Sequence, residues 1–213
     1  PAVPGSRLGI PLEQLPATLP EGISGLHFHV MCEQDSYVLE RVLKVVEEKF
    51  SHLLKQAQWL NMGGGHHITR ADYKPEHLIA LLKDFKSRYP DLKIILEPGE
   101  AVGWRTGFLL ATVLDVVESG GIKTAILDVS FSAHMPDTLE MPYKPVITGA
   151  GEPDELPFNY RMGGSTCLAG DFYGDYSFPH ELKPGDRIEF EDMIHYTMVK
   201  TTLFNGVRHP HIG

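Results

Sequence analysis

The sequence predicts a two-part chain: a parallel α/β portion belonging to a (β/α)8 barrel over residues 1–103, then an antiparallel β portion over 104–213. Three observations carry this. Short apolar runs alternate with helical periodicity up to residue 103, as in βα units. Each apolar run is followed by residues with chemistry to offer, namely His29, Gly63-Gly64-Gly65 and Glu97, always on the C-terminal side, where such barrels carry their sites. After Gly103 the texture changes to β-branched runs joined by Ser119-Gly120-Gly121, a hairpin signal that a parallel barrel does not require.

Taken in order, the first segment is punctuated by Pro1, Pro4, Pro11, Pro16 and Pro20 and has no clear element. A strand is expected over Ile23–Val30, where Ile23, Leu26, Phe28 and Val30 surround His27 and His29. From Tyr37 to about Gln56 the apolar positions Val38, Leu39, Val42, Val45, Val46, Phe50, Leu53 and Leu54 keep helical spacing, and Asp35 or Ser36 can cap the start. Leu60 and Met62 mark the next strand. Pro75 suits the first turn of a second helix with Leu78, Leu81, Leu82 and Phe85 on its buried stripe. Leu92–Leu96 is a third strand, ending at Glu97-Pro98-Gly99.

Beyond the boundary, Phe108–Val117 and Ile122–Val129 form the predicted hairpin. A Pro- and Gly-rich passage over Pro136–Pro157 precedes short strands near Asn159–Met162, Arg187–Phe190 and Tyr196–Leu203, with Pro184-Gly185-Asp186 as a turn. Internal repeats and low-complexity tracts are absent from the pattern.

With 213 residues, 42% of them hydrophobic, the chain can bury a sizeable core. No apolar run approaches the roughly 20 residues that cross a bilayer, so a cytoplasmic place is the expectation. Two cysteines, Cys32 and Cys167, provide neither a disulfide framework nor a CxxC pair. A net charge of -9 disfavours nucleic acid and suits a cationic small molecule.

The strand-end residues together suggest pyridoxal 5′-phosphate as cofactor. A phosphate wants backbone N–H groups that glycines leave accessible, an aromatic ring wants a flat imidazole, and a protonated pyridine nitrogen wants a carboxylate. Each residue also has a plainer reading: a glycine triplet can be only a loop, His29 a core histidine, Glu97 a turn carboxylate, Cys167 an inert small hydrophobe, and Asp171 and Asp175 solvated loop residues.

The segments HFHV, NMGGGHH, ILEPGEA, GGSTCLAGDFYGD and FEDMIHYTMVKTTLFNG resemble, in that order, the fold-type III decarboxylases related to ornithine and diaminopimelate decarboxylases. They are most similar to the bacterial polyamine branch, which acts on carboxylated triamines. This resemblance implies an alanine racemase/ornithine decarboxylase-like fold, with the C-terminal half of a (β/α)8 barrel over 1–103 and a β domain, incomplete at its C-terminus, over 104–213. It implies a homodimer with shared active sites. It makes His29 the cofactor-stacking histidine, Gly63, Gly64 and Gly65 the phosphate loop, Glu97 the pyridinium partner and Tyr196 a phosphate ligand. Cys167 becomes the proton donor to Cα, contributed by the neighbouring subunit, and Asp128 the acid that holds the distal amine. Asp171 belongs to the family motif and joins the substrate-binding set.

Two departures bear on substrate. Glu100 stands where the ornithine enzymes follow EPG with Arg, and it is better suited to a substrate ammonium than to a phosphate. Leu168 stands where they follow the cysteine with Asp, leaving an apolar wall. Both changes suit a polyamine precursor over ornithine. The family's cofactor-holding lysine has no counterpart here, since Lys74, Lys93 and Lys200 lie in settings explained by solvation, so the chain reads as a fragment lacking the N-terminal half of the barrel. The alternatives are an ornithine- or diaminopimelate-type decarboxylase, a zinc hydrolase using His27, His29, His66, His67 and Asp128, and a catalytically dead relative that binds partners.

Overall fold

The computed structural model describes residues 4–213, so the expectation that touches Pro1 lies outside the described residues. The chain divides into two compact units, the first ending at Val102 and the second starting at Gly103.

The first unit is built on three parallel strands in the order β1 (Gly25–His27), β2 (Trp59–Asn61), β3 (Lys93–Ile95). They are shorter than the apolar runs suggest, because the ladder stops where the chain turns to build its strand-end loops. Helix α1 (Ser36–Leu54) connects β1 to β2 and α2 (Pro75–Arg88) connects β2 to β3. Asp35 caps α1 as expected, its Oδ1 accepting from the N–H groups of Tyr37 and Val38 at 3.0 Å each. Such a cap contributes about 1 kcal/mol. Leu39, Leu43, Val46 and Leu54 of α1 and Leu78 and Phe85 of α2 bury their stripes against Leu60, Met62 and Leu92. Glu76 in the first turn of α2 and Lys86 and Arg88 in its last complement the helix dipole. A short helix, α3 (Gly99–Gly103), closes the unit and runs into the boundary.

The second unit is a five-stranded sheet with strand order β7-β6-β5-β4-β8. Strands β4 (Phe108–Ser119) and β5 (Ile122–Leu127) form the predicted hairpin. Gly120 and Gly121 at its tip have φ of 60° and 79°, the two positive values that a tight two-residue turn matching strand twist demands. The remaining strands are β6 (Phe158–Gly163), β7 (Phe172–Phe178) and β8 (Arg187–Glu191). Helices α4 (Phe131–His134) and α5 (Asp137–Glu140) lie in the long passage after β5, and α6 (Tyr196–Val199) follows β8. Phe131, Phe190, Leu127, Met162 and Met135 sit at the centre of this unit's core.

Three expectations are corrected. The sheet is mixed, because β5 pairs with β6 in parallel; the passage between them, with its two short helices, is long enough to return the chain in the same direction. Asp175, for which the plainer reading was a solvated loop residue, lies within the strand Phe172–Phe178 and is bound by Arg161 across the ladder with β6. Tyr196–Leu203 is not a strand. Its β-branched composition is overridden by tethers: Lys200 Nζ reaches Asp137 at 2.8 Å and also Glu140, and Thr202 N–H donates to Ala133 O at 2.8 Å.

Among the described residues no helix is long and apolar enough to cross a membrane. Neither cysteine is in a disulfide.

Candidate functional site

In the first unit, three parallel strands deliver their C-terminal ends to one side, and the predicted residues follow those ends. His29 lies two residues beyond β1, the glycines begin two beyond β2, and Glu97 lies two beyond β3. They meet. The Gly64 N–H donates to His29 Nδ1 at 3.2 Å, and the Glu97 N–H donates to Gly63 O at 2.8 Å. Because His29 Nδ1 accepts an amide proton, the neutral ring carries its own proton on Nε2.

Asn61, which the sequence reading passed over, ties the group together. Its Nδ2 donates to Glu97 Oε1 at 3.0 Å while its Oδ1 accepts from Gly63 N–H at 2.9 Å. The signal was present as a polar side chain closing an apolar strand just before the glycines, where a strand-end residue faces the loop it introduces.

The glycines are required by close approach. A Cβ on Gly63 would lie 2.5 Å from Phe28 O, one on Gly64 2.3 Å from Glu97 O, and one on Gly65 2.2 Å from Met31 O. Real side chains do not tolerate such distances. Gly63 and Gly65 also have φ of 71° and 79°. The N–H groups of Gly63 and Gly64 donate to Asn61 and His29, so among the described residues Gly65 is the one of the three whose N–H has no such acceptor.

Glu100, expected to meet a substrate ammonium, has Oε1 3.8 Å from Nε2 of His67, which is 4% exposed. His66 is buried beside it, with Nδ1 3.2 Å from the hydroxyl of Tyr73, and burial pushes its pKa below the usual histidine value. The zinc arrangement does not form, since among the described residues no group of three or more His, Cys, Asp or Glu could hold a metal ion.

In the second unit, Cys167 lies exposed on the loop between β6 and β7, its Sγ accepting from Asn205 Nδ2 at 3.5 Å. Leu168 beside it is also exposed. Asp128 follows β5; its Oδ1 accepts from Thr112 N–H at 2.7 Å and its side chain stays exposed. Tyr196 is exposed at the start of α6, with its ring edge-on to His195 at 6.1 Å between centroids.

Asp171, expected in the substrate-binding set, lies inside the second unit. It is 4% exposed, and its two oxygens accept four hydrogen bonds from within the unit. A carboxylate so engaged fastens the residues around it to one another.

A sequence profile described as "Pyridoxal-dependent decarboxylase, C-terminal sheet domain" matches residues 35–194. Carboxyaminopropylagmatine decarboxylase of Synechocystis is 53% identical over 213 residues, covering 100% of this chain and 55% of the relative. Carboxynorspermidine/carboxyspermidine decarboxylase of Campylobacter jejuni is 48% identical over 218 residues, covering 97% of this chain and 56% of the relative. The crystal structure of carboxynorspermidine decarboxylase complexed with norspermidine, from the same organism, superposes with a TM-score of 0.85 at 48% identity, covering 95% of this chain and 58% of that one. The chain thus spans a little over half the length of the curated relatives it matches.

Proposed function

Since this chain belongs to the pyridoxal-dependent decarboxylase family, we propose that it serves the decarboxylation of a carboxylated polyamine precursor, carboxynorspermidine or carboxyspermidine, to the corresponding triamine. The observation that carries this reading is the convergence of His29, the Gly63–Gly65 loop and Glu97 at one end of three parallel strands. Pyridoxal 5′-phosphate is the cofactor this set fits: a loop where no Cβ can be placed, an imidazole held beside it, and a carboxylate fixed through one oxygen. When bound, it supplies a sink for the electron pair left as carbon dioxide departs.

The chain's own residues then have separate tasks. His29, pinned by Gly64, orients a flat ring. Glu97, fixed by Asn61, holds a proton at the pyridine nitrogen through a charged hydrogen bond worth about 1.5–3 kcal/mol. Gly65 and the Tyr196 hydroxyl serve the phosphate. Cys167 gives a proton to Cα. Asp128, with one oxygen engaged by Thr112, offers the other to a distal ammonium, and Glu100 offers negative charge in its vicinity of the loop.

The family resemblance supports the rest of the arrangement: β1–β3 as consecutive units of a (β/α)8 barrel whose C-terminal half is 1–103, a β domain over 104–213, and a cytoplasmic homodimer with shared sites. A second reading is favoured by the 53% identity to the Synechocystis enzyme, namely a precursor ending in a guanidino group instead of an amine.

The test uses the full-length protein supplied with pyridoxal 5′-phosphate. Absorbance near roughly 400–430 nm, the range of a carbonyl cofactor joined to a lysine, and carbon dioxide release from carboxynorspermidine are expected. Turnover of carboxyaminopropylagmatine is compared alongside. Preferred turnover of ornithine or diaminopimelate, or a dimer that stays colourless, overturns the proposal.

A further inference from the structure

The loop that presents Cys167 is organised by one buried carboxylate. Asp171 Oδ1 accepts from Ser130 Oγ at 3.0 Å and from Ser132 N–H at 3.1 Å; Oδ2 accepts from Thr166 Oγ1 at 2.6 Å and from Thr166 N–H at 3.1 Å. The main chain of the same residue is engaged as well: its carbonyl accepts from Gly164 N–H at 2.6 Å and its N–H donates to Leu168 O at 2.9 Å. Cys167 is therefore flanked on both sides by residues bonded to Asp171. Gly164 leaves room for this seat, since a Cβ there would stand 2.3 Å from Oδ2.

The second anchor is the start of α4. Ser130 Oγ donates to Asp171 and accepts from Ala133 N–H at 3.1 Å, so the loop is fastened to a helix end that is itself capped. Ser165 N–H adds a bond to Val129 O at 3.0 Å. From the far side, Asn205 Nδ2 approaches Cys167 Sγ. An exposed thiol on a connecting loop would ordinarily sample many positions. Here the loop's three fixed points lie within two residues of it.

We infer that Asp171 is a positioning residue, which holds Cys167 in the place from which it transfers its proton, and not a ligand of the substrate. This rests on the proposed function for its meaning, but the fixing of the thiol can be read without any turnover. Misplacement of a reacting group by about 1 Å costs up to a hundredfold in rate while leaving substrate affinity largely alone.

The experiment uses the full-length protein with Cys32 replaced by Ser, so that iodoacetamide reports on Cys167 among the two cysteines of this chain. D171N is expected to lower kcat by about tenfold to a hundredfold with KM held within about threefold. The alkylation rate of Cys167 should change by at least about fivefold, with a shifted pH profile, because thiolate reactivity follows the surroundings of the sulfur. A tenfold rise in KM at unchanged kcat would make Asp171 a substrate ligand and overturn the inference, as would an unaltered alkylation profile. If D171N does not fold, T166V takes its place: it removes one of the four bonds, and the same shift in alkylation, smaller in size, is expected. No shift there also overturns it. A full-length protein that alkylates as expected yet decarboxylates nothing refutes the proposed function and leaves the positioning role standing.

Discussion

The two units hold their candidate functional residues by opposite means. In the first, side chains are left out: Gly63, Gly64 and Gly65 let three strand ends pack so closely that His29 and Glu97 become neighbours of one loop. In the second, a side chain is put in, and the charge of Asp171 gathers donors from residues 130, 132 and 166 around the Cys167 loop. A site made by omission fails when anything is added. A site made by a buried acceptor fails when that acceptor is altered.

The sharpest way to break this contrast is to add one methyl group. Gly64 has no positive φ, so G64A poses a purely steric problem against Glu97 O at 2.3 Å, which is backbone and cannot swing away. A loss of about 3 kcal/mol in the first unit is expected, together with loss of cofactor binding. G120A is the control in the second unit. Its Cβ meets nothing within 4 Å but must adopt φ of 60°, at a cost of about 1–2 kcal/mol. Urea unfolding followed by Trp59 fluorescence in one unit and Trp104 in the other separates the two effects; equal losses from both variants would remove the steric account of the glycine loop.

This contrast also explains what could be read from the sequence. Omission is visible in one dimension, since three adjacent glycines after an apolar run are legible as they stand. So were α1 with its Asp35 cap and the Gly120-Gly121 turn, because capping and turn chemistry act over a few residues. The Asp171 network was not legible. Two of its donor residues come from about forty positions upstream, and nothing local marks Ser130 or Ser132 as partners. Strand β7 was missed because Gly174 and Asp175 interrupt its apolar pattern, and only Arg161 on the neighbouring strand shows why an acid belongs there. The parallel pairing of β5 with β6 likewise depends on a long connection whose path no local spacing reveals.

Acid offers a second probe, smaller in effect, because each unit buries a histidine whose pKa is lowered by desolvation. His134 Nδ1 accepts from Ser130 N–H at 3.1 Å and its Nε2 donates to Arg208 O at 2.9 Å, so the ring is locked neutral and a second proton would break the first bond. His66 is buried with Nδ1 against Tyr73 and, among the described residues, no hydrogen-bond partner at Nε2. With folded values depressed below 6.5, the unfolded chain binds protons first as pH falls. Stability is therefore intact above that value and declines as pH drops from there toward the folded values. Both tryptophan reporters should show weakening as pH falls from about 6.5 to about 5.5, a window above most carboxylate titration. H134N should flatten the slope in the second unit alone. A slope that rises with acid, or one indifferent to the substitution, would contradict the buried neutral state.

The smallest effect tests whether the units differ anywhere beyond their sites. Each carries one two-pronged arginine pair near its surface. Arg88 Nε and Nη2 reach Glu47 at 2.7 and 3.0 Å, bridging α2 to α1, and Arg161 Nε and Nη2 reach Asp175 at 2.8 and 3.0 Å, bridging β6 to β7. Both carboxylates raise the pKa of their arginine, as opposite charge must, but the arginine side chains are 42% and 30% exposed and solvent screens most of the attraction. E47Q and D175N should each cost no more than about 1 kcal/mol, shrinking further in high salt. E47Q should cost the less of the two, because Arg88 Nη1 also bonds Asp84, which remains as its partner, whereas the bonds of Arg161 go to Asp175. A markedly larger, salt-insensitive loss from D175N would mean that the second unit depends on charge at its rim as well as in its interior, and the division between a site built by omission and a site built by a buried acceptor would then describe whole units and not only their loops.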